Sequence, residues 1–321
     1  MNECGIVWDN HACLPLHGTE QWLPGIARYR AAGVTAVTIN IGDSQVPLET
    51  LIRTAASIRH FVRQHSDQYL LGLTTADLRA ARQSGRLAVC LDIEGVHSFG
   101  EQVSLVEFFY QIGVRWMLLV YNRKNLAGGG CHDPEDAGLT AYGRAILGEM
   151  DRVGMMKCCS HTGYRTAREV LDASDRPVIF SHSNPRRLHD HPRNIPDDLI
   201  RACAATGGVI GINGIGLFLG NRRPTADDAV RHVDYVAQLV GAKHVSLGLD
   251  YLFDSGEFRQ PGRANADIWP RAWGYGSGAG TLAPEAIPEI AAGLARLGYP
   301  DAAIQGVMGE NLMRVADAVW K

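Results

Sequence analysis

The chain has 321 residues, 46% hydrophobic and 20% charged, which supplies a large core and excludes a mainly disordered protein. A formal charge of −3 with acids and bases interleaved gives no basic stripe for nucleic acid, and no apolar run reaches the ~20 residues of a membrane span. The start, MNECGIVWDN, lacks the basic and apolar regions of a secretory leader, and seven cysteines argue against a disulfide framework, so a cytoplasmic protein is expected.

Along the chain, runs rich in Val and Ile alternate with stretches of helical period, the pattern of repeated βα units. Strands are predicted near 5–11, 34–40, 87–93, 115–121, 155–160, 177–181, 207–212 and 244–249. Between them lie amphipathic segments such as Leu48–His65, Val103–Ile112, Leu139–Val153 and Ala226–Val240. Pro196-Asp197-Asp198 and Thr225–Asp228 read as helix starts with acids in the first turn. Gly33, Gly113, Gly154 and Gly207 each stand just before a strand, where a helix-terminating glycine belongs. Eight strands with intervening helices predict one closed α/β unit over 1–321, a (β/α)8 TIM barrel, rather than an open sheet. Two stretches rich in Gly and Pro, Asn125–Gly138 and Asp254–Gly280, follow strands and belong on the face where such barrels carry their chemistry. Trp269, Trp273 and Tyr275 make the second of them a packed lid.

Four strand runs end in residues that bind metals: Ile6–His11, Leu87–Glu94, Met155–His161 and Pro177–His182. Three imidazoles and a carboxylate at the C-terminal ends of barrel strands are ligands for a Zn2+-like ion, or for two ions sharing the carboxylate. Cys13 lies two residues beyond His11, on the same side of a strand, and is read either as a thiolate ligand or as a small buried hydrophobe. Glu94 ends a run that should be buried and so requires a partner, a metal in preference to a salt bridge. Asp92, two residues earlier, suits a carboxylate that orients a ligand imidazole, and His97 a loop position. At least one of Cys158 and Cys159 reads as core packing. A fifth run, His244–Leu249, ends in Asp250, a candidate proton carrier beside a metal-activated water. Arg193, between prolines in HPRNIPDD, offers a planar fork for a carboxylate.

Taken together, DNHACLPL, LDIEGVHS, GVRWMLLVYN, GLTAYGRAILGEMDRVGM, SHTG, RPVIFSHSN, RNIPDDLI, LGLDY and GENLMRV make the chain similar, nearly end to end, to the membrane dipeptidase (renal dipeptidase) family of the amidohydrolase superfamily. The resemblance implies a (β/α)8 barrel with a binuclear zinc site. His11 would bind one metal, Glu94 would bridge both, and His161 and His182 would bind the second. Asp250 would take the proton of the attacking hydroxide and pass it to the leaving amine, and Arg193 would hold the substrate's terminal carboxylate. Two positions depart from the family pattern. Its first motif reads H-x-D, where this chain has Cys13, and its histidine at the end of the fourth strand is here Tyr121. Tyr121 can still donate a hydrogen bond to a developing oxyanion. The lost aspartate predicts one well-held ion and a second position at His11 and Cys13 that is weak or empty. The expected function is hydrolysis of a dipeptide or similar small carboxylate-bearing amide. Alternatives are hydrolysis of a different amide, ester or lactam, or metal binding without turnover. No nucleic-acid or membrane partner is expected, and a homo-oligomer is left open.

Overall fold

The computed structural model describes residues 5–16, 19–254 and 265–321. Its centre is a ring of parallel strands: β1 (Trp8–Cys13), β2 (Ala36–Asp43), β3 (Leu87–Glu94), β4 (Val114–Leu118), β5 (Met156–Cys158), β6 (Val178–Ile179), β7 (Ile210–Ile212) and β8 (Val245–Leu247). Each pairs with the next, β8 returns to β1 through Asp9 and Leu247, and a parallel bridge between Phe180 and Ile210 closes the gap between β6 and β7. This is a (β/α)8 barrel, with every predicted strand present. Parallel strands buried on both faces need continuous apolar runs, and β2 and β3 carry them as AVTINIGD and LAVCLDIE.

The helices cover the outside as the periodicity requires. Leu48–Gln64 buries Leu51, Thr54, Ala55, Ile58 and Val62, one stripe at spacings of three and four. Ala226–Val240 starts at Thr225, whose backbone N–H and hydroxyl both donate to Asp228 Oδ2 at 2.9 Å, a capping box. Gly154 ends Ala141–Val153 at φ 88°, in the left-handed region that favours glycine.

Two short strands were not foreseen, Tyr69–Leu71 and Tyr251–Leu252, the second of which pairs with the end of β1. Tyr69–Leu71 forms a short parallel strand on the first half of β3, and three residues are too few to show a period. The floor of the barrel is aromatic and dry. Trp8 donates its indole N–H to Thr38 Oγ1 at 3.0 Å and meets Trp320 of the last helix edge-on at 5.6 Å. Trp116 fills the next level, directly below the strand ends. No helix among the described residues is long and apolar enough to cross a membrane.

Candidate metal centre

The strand ends bring the predicted residues together. His11 comes from β1, Glu94 from β3, and His161, His182 and Asp250 from the turns just after β5, β6 and β8. His161 Nε2 and His182 Nε2 each lie 3.2 Å from Glu94 Oε1 and 2.9 Å from one another, while His11 Nε2 is 3.7 Å from the same oxygen. The His11 ring stacks on that of His182 at 4.0 Å, and Trp116 supports both from below. All four side chains are buried, His182 and His11 completely.

Each imidazole is oriented from its far side. His11 Nδ1 lies 3.1 Å from Asp92 Oδ2, His161 Nδ1 2.7 Å from Asn122 Oδ1, and His182 Nδ1 2.7 Å from Ser181 Oγ. Carboxylate and amide oxygens only accept, so the Nδ1 atoms of His11 and His161 carry protons, and the neutral His161 turns its Nε2 lone pair inward. Asp92 is itself fixed by Asn40 Nδ2 at 2.7 Å. Asn122, His161 and Asp250 hold φ of 59°, 63° and 57°, and among the described residues they are the non-glycine positions with positive φ. Backbone in that region costs of order 1–3 kcal/mol per residue and persists where the surroundings impose it. Here all three cases sit at the barrel mouth.

These donors fit a divalent cation. Two imidazole lone pairs converge with a carboxylate oxygen, yet Glu94 Oε1 is buried with no hydrogen-bond partner. Without positive charge that arrangement is repulsive. Burial holds His161 and His182 well below the usual histidine range, with Arg193 among the charges that add to the effect. Burial also pushes Glu94 well above the usual carboxylate range. His11 is the exception: burial opposes its charge, but Cys13, Asp92 and Glu94 draw a proton to it. A cation beside Glu94 would take over from that proton and satisfy the Glu94 oxygen.

Beside the expected trio of Glu94, His161 and His182, two further groups lie within ligand reach. One group is His11, Glu94 and His182, and a second is His11, Cys13 and Asp250. Cys13 Sγ lies 3.4 Å from His11 Nε2 and 3.5 Å from Asp250 Oδ1, and burial pushes its thiol far up. Asp250 Oδ1 is 3.5 Å from His11 Nε2, and its other oxygen accepts from Asn213 Nδ2 at 2.9 Å.

Tyr121 stacks on His161 at 4.2 Å, and its hydroxyl accepts from Trp269 Nε1 at 3.3 Å. Burial, with Asp43 and Glu94 nearby, keeps it a neutral phenol. Arg193 is buried beside the site. Its guanidinium donates to His182 O at 3.0 Å and Ser183 Oγ at 3.4 Å and leaves Nε without a partner. Phe218, on the cavity wall, has its ring centre 5.5 Å from the guanidinium carbon. His97 is exposed in a turn, and Cys158 and Cys159 are both buried, Cys158 with its sulfur 3.0 Å from Ser181 Oγ.

Above the cluster opens a cavity of ≈ 520 Å3. Part of its wall is the stretch after Asp254, of which 255–264 lie outside the described residues. The remainder packs as a lid. His132, from the first long loop, has Nδ1 2.9 Å from Ile268 O and Nε2 3.3 Å from the Tyr275 hydroxyl, and Trp273 lies 4.6 Å from its ring. The sequence reading did not single out Asn122, Asn213, Ser181 or His132. Asparagines directly after strands, in VYN and GIN, were the available signal.

A model of the membrane dipeptidase family, peptidase family M19, matches residues 34–269. Dipeptidase verJ of Clonostachys rogersoniana is 31% identical over 264 residues, which cover 82% of this chain and 63% of that protein. The chain thus spans less than two thirds of the length of the curated relatives it matches. Among solved structures, an amidohydrolase from Pseudomonas aeruginosa superposes with a TM-score of 0.84 at 28% identity, covering 98% of this chain and 97% of that one. A Rhodobacter sphaeroides metallopeptidase, solved with a phosphinate mimic of the dipeptide L-Ala-D-Ala, shares the fold at a TM-score of 0.80 and 18% identity, covering 99% of this chain and all (100%) of the other. With most of its length matched by the family model and aligned with a curated relative, the chain belongs to the membrane dipeptidase family, M19.

Proposed function

We propose that the chain is a zinc-dependent hydrolase that cuts the amide bond of a dipeptide or a similarly small, carboxylate-bearing substrate. The observation that carries this is the convergence of the His161 and His182 nitrogens on a buried, unpartnered Glu94 oxygen beneath an open cavity. Glu94, His161 and His182 would hold the main ion, with His11 and Cys13 offering a second, weaker position that shares Glu94. A divalent ion supplies Lewis acidity there, polarising the scissile carbonyl and making water a competent nucleophile near neutral pH.

The protein's own groups do the rest. Asn213 holds one oxygen of Asp250, so the other stays turned toward the cluster, within reach of a proton released by the attacking water and then needed by the leaving amine. Tyr121, neutral and braced against His161, donates its hydroxyl hydrogen to the carbonyl oxygen as negative charge grows there. Arg193, the residue the family resemblance assigns to the substrate carboxylate, lies just behind Phe218 of the cavity wall with its Nε buried and unpartnered, so a carboxylate must reach it past that ring. Cys13 and Tyr121 also favour a second reading, a small amide or ester other than a dipeptide, because both fall where the family pattern has different chemistry.

The test is metal content followed by assay against L,L- and L,D-dipeptides. His182→Ala should lose both the bound zinc and hydrolysis. A His182→Ala protein that stays fully metallated and active would falsify the site assignment.

A further inference from the structure

The cavity carries one carboxylate that this chemistry leaves unused. Asp43 is the last residue of β2 and pairs in register with Glu94 of β3, so it stands at the mouth beside the proposed metal cluster. It lines the same cavity as Glu94, Tyr121 and Asp250. One of its oxygens accepts from the backbone N–H of Gln45 at 2.7 Å, and among the described residues no lysine, arginine or histidine pairs with it. No lysine or arginine is among the described residues of the cavity wall. Glu94 and Asp250 have duties toward the ion and the moving proton. Asp43 therefore remains a carboxylate with no cationic partner among the described residues, on a wall where Leu14, Val46, Ile215 and Leu252 alternate with the neutral polar groups of Asn40, Gln45, Ser277 and Thr281.

A carboxylate on a cavity wall that supplies no cation of its own favours a cation on the ligand. One carboxylate whose other oxygen is tied to a backbone N–H has too few donors for a metal of its own. A primary ammonium, compact and rich in donors, suits it. Position then fixes which ammonium. Because Asp43 and Glu94 are neighbours across β2 and β3, a cation on Asp43 lies close to the scissile carbonyl, as the α-amino group of the residue that supplies that carbonyl does.

We propose that Asp43 is a substrate-binding residue that receives the free α-ammonium group of the substrate's N-terminal residue, making the site selective for unblocked amines. The proposal rests on reading the cluster as the hydrolytic centre. The apolar wall around Asp43 would then take the side chain of that same residue.

The experiment pairs substrates with ligands that cannot turn over. Wild type and Asp43→Asn, checked for equal metal content and folding, are compared on free and N-acetylated dipeptides. Binding of a phosphinate dipeptide and its N-acetyl derivative is measured by calorimetry. Wild type should prefer free amines at least tenfold in kcat/KM and in binding, and Asp43→Asn should erase most of that preference, chiefly through KM. Equal wild-type treatment of free and acetylated forms, a preference that survives in Asp43→Asn, or failure to bind either phosphinate overturns the proposal. If the phosphinates bind as expected and no peptide is cut, the hydrolytic reading fails while the ammonium assignment stands.

Discussion

As a thiolate, Cys13 would put a soft ligand into a site otherwise built from imidazole and carboxylate. Its thiol stays protonated in the dry mouth unless an ion displaces the proton, so metal binding there must release one. Cobalt-loaded wild type should show a near-ultraviolet thiolate-to-metal band that grows with the second equivalent of metal and is missing from Cys13→Ser. Identical spectra and stoichiometry in the two proteins would make Cys13 a bystander. At this scale the sequence was informative about which side chains converge and mute about their supports. A histidine or glutamate closing an apolar run is rare enough to read, and His11, Glu94, His161 and His182 were all legible that way. Asn122, Asn213 and Ser181 are ordinary loop residues until the fold places them behind an imidazole or a carboxylate. The approach of Asp250 to His11 and Cys13 depends on distances between β1 and the turn after β8, which no local pattern encodes.

Strand packing around His182 depends on what glycine leaves out. A Cβ on Gly211 of β7 would lie 2.0 Å from Ser181 O, and one on Gly248, just after β8, would also lie 2.0 Å from it. The contact is with backbone, so the chain beside His182 would have to move. Gly211→Ala should cost about 1–3 kcal/mol, as overpacking does, seen as a lower urea midpoint at unchanged slope. It should also weaken zinc retention, because Ser181 orients His182. A variant with wild-type stability and metal content would show that the barrel yields there at no cost. The alternation of apolar runs and amphipathic stretches made all eight barrel strands readable in advance. Tyr69–Leu71 escaped because its pairing is made by β3 rather than by any period of its own. The lid was legible through its aromatic residues, but its tie to the first loop through His132 was not.

Over the whole molecule, buried titratable groups pull stability in opposite directions with pH. Burial lowers His132 to about 3, and His191 and His232 to about 4. It raises Asp9 to about 7 and Asp43 to about 6. Between pH 4 and 6.5 the unfolded chain binds more protons at the histidines than the folded one, so their contribution falls as pH drops through that window. The raised carboxylates act the other way, their contribution falling as pH rises from about 4 toward 7. His232 is buried on the helix Ala226–Val240, apart from the metal cluster, with Nε2 3.3 Å from Leu219 O. Comparing wild type with His232→Gln isolates its share. Relative to the variant, wild type should lose roughly 2 kcal/mol of unfolding free energy on going from pH 6.5 to pH 5, from 1.4 kcal/mol per pH unit. A difference that does not change with pH would show that His232 takes up protons in the folded state.

The stacking of an aromatic floor beneath a polar mouth has an evolutionary consequence. Trp8, Trp116 and Trp320 keep the strands together at levels where no substrate reaches. The residues proposed to meet a substrate stand one storey higher, at strand ends and the turns that follow them. A lineage can therefore try a cysteine at 13 or a tyrosine at 121 without first renegotiating the architecture, and such a barrel can change its diet faster than its shape.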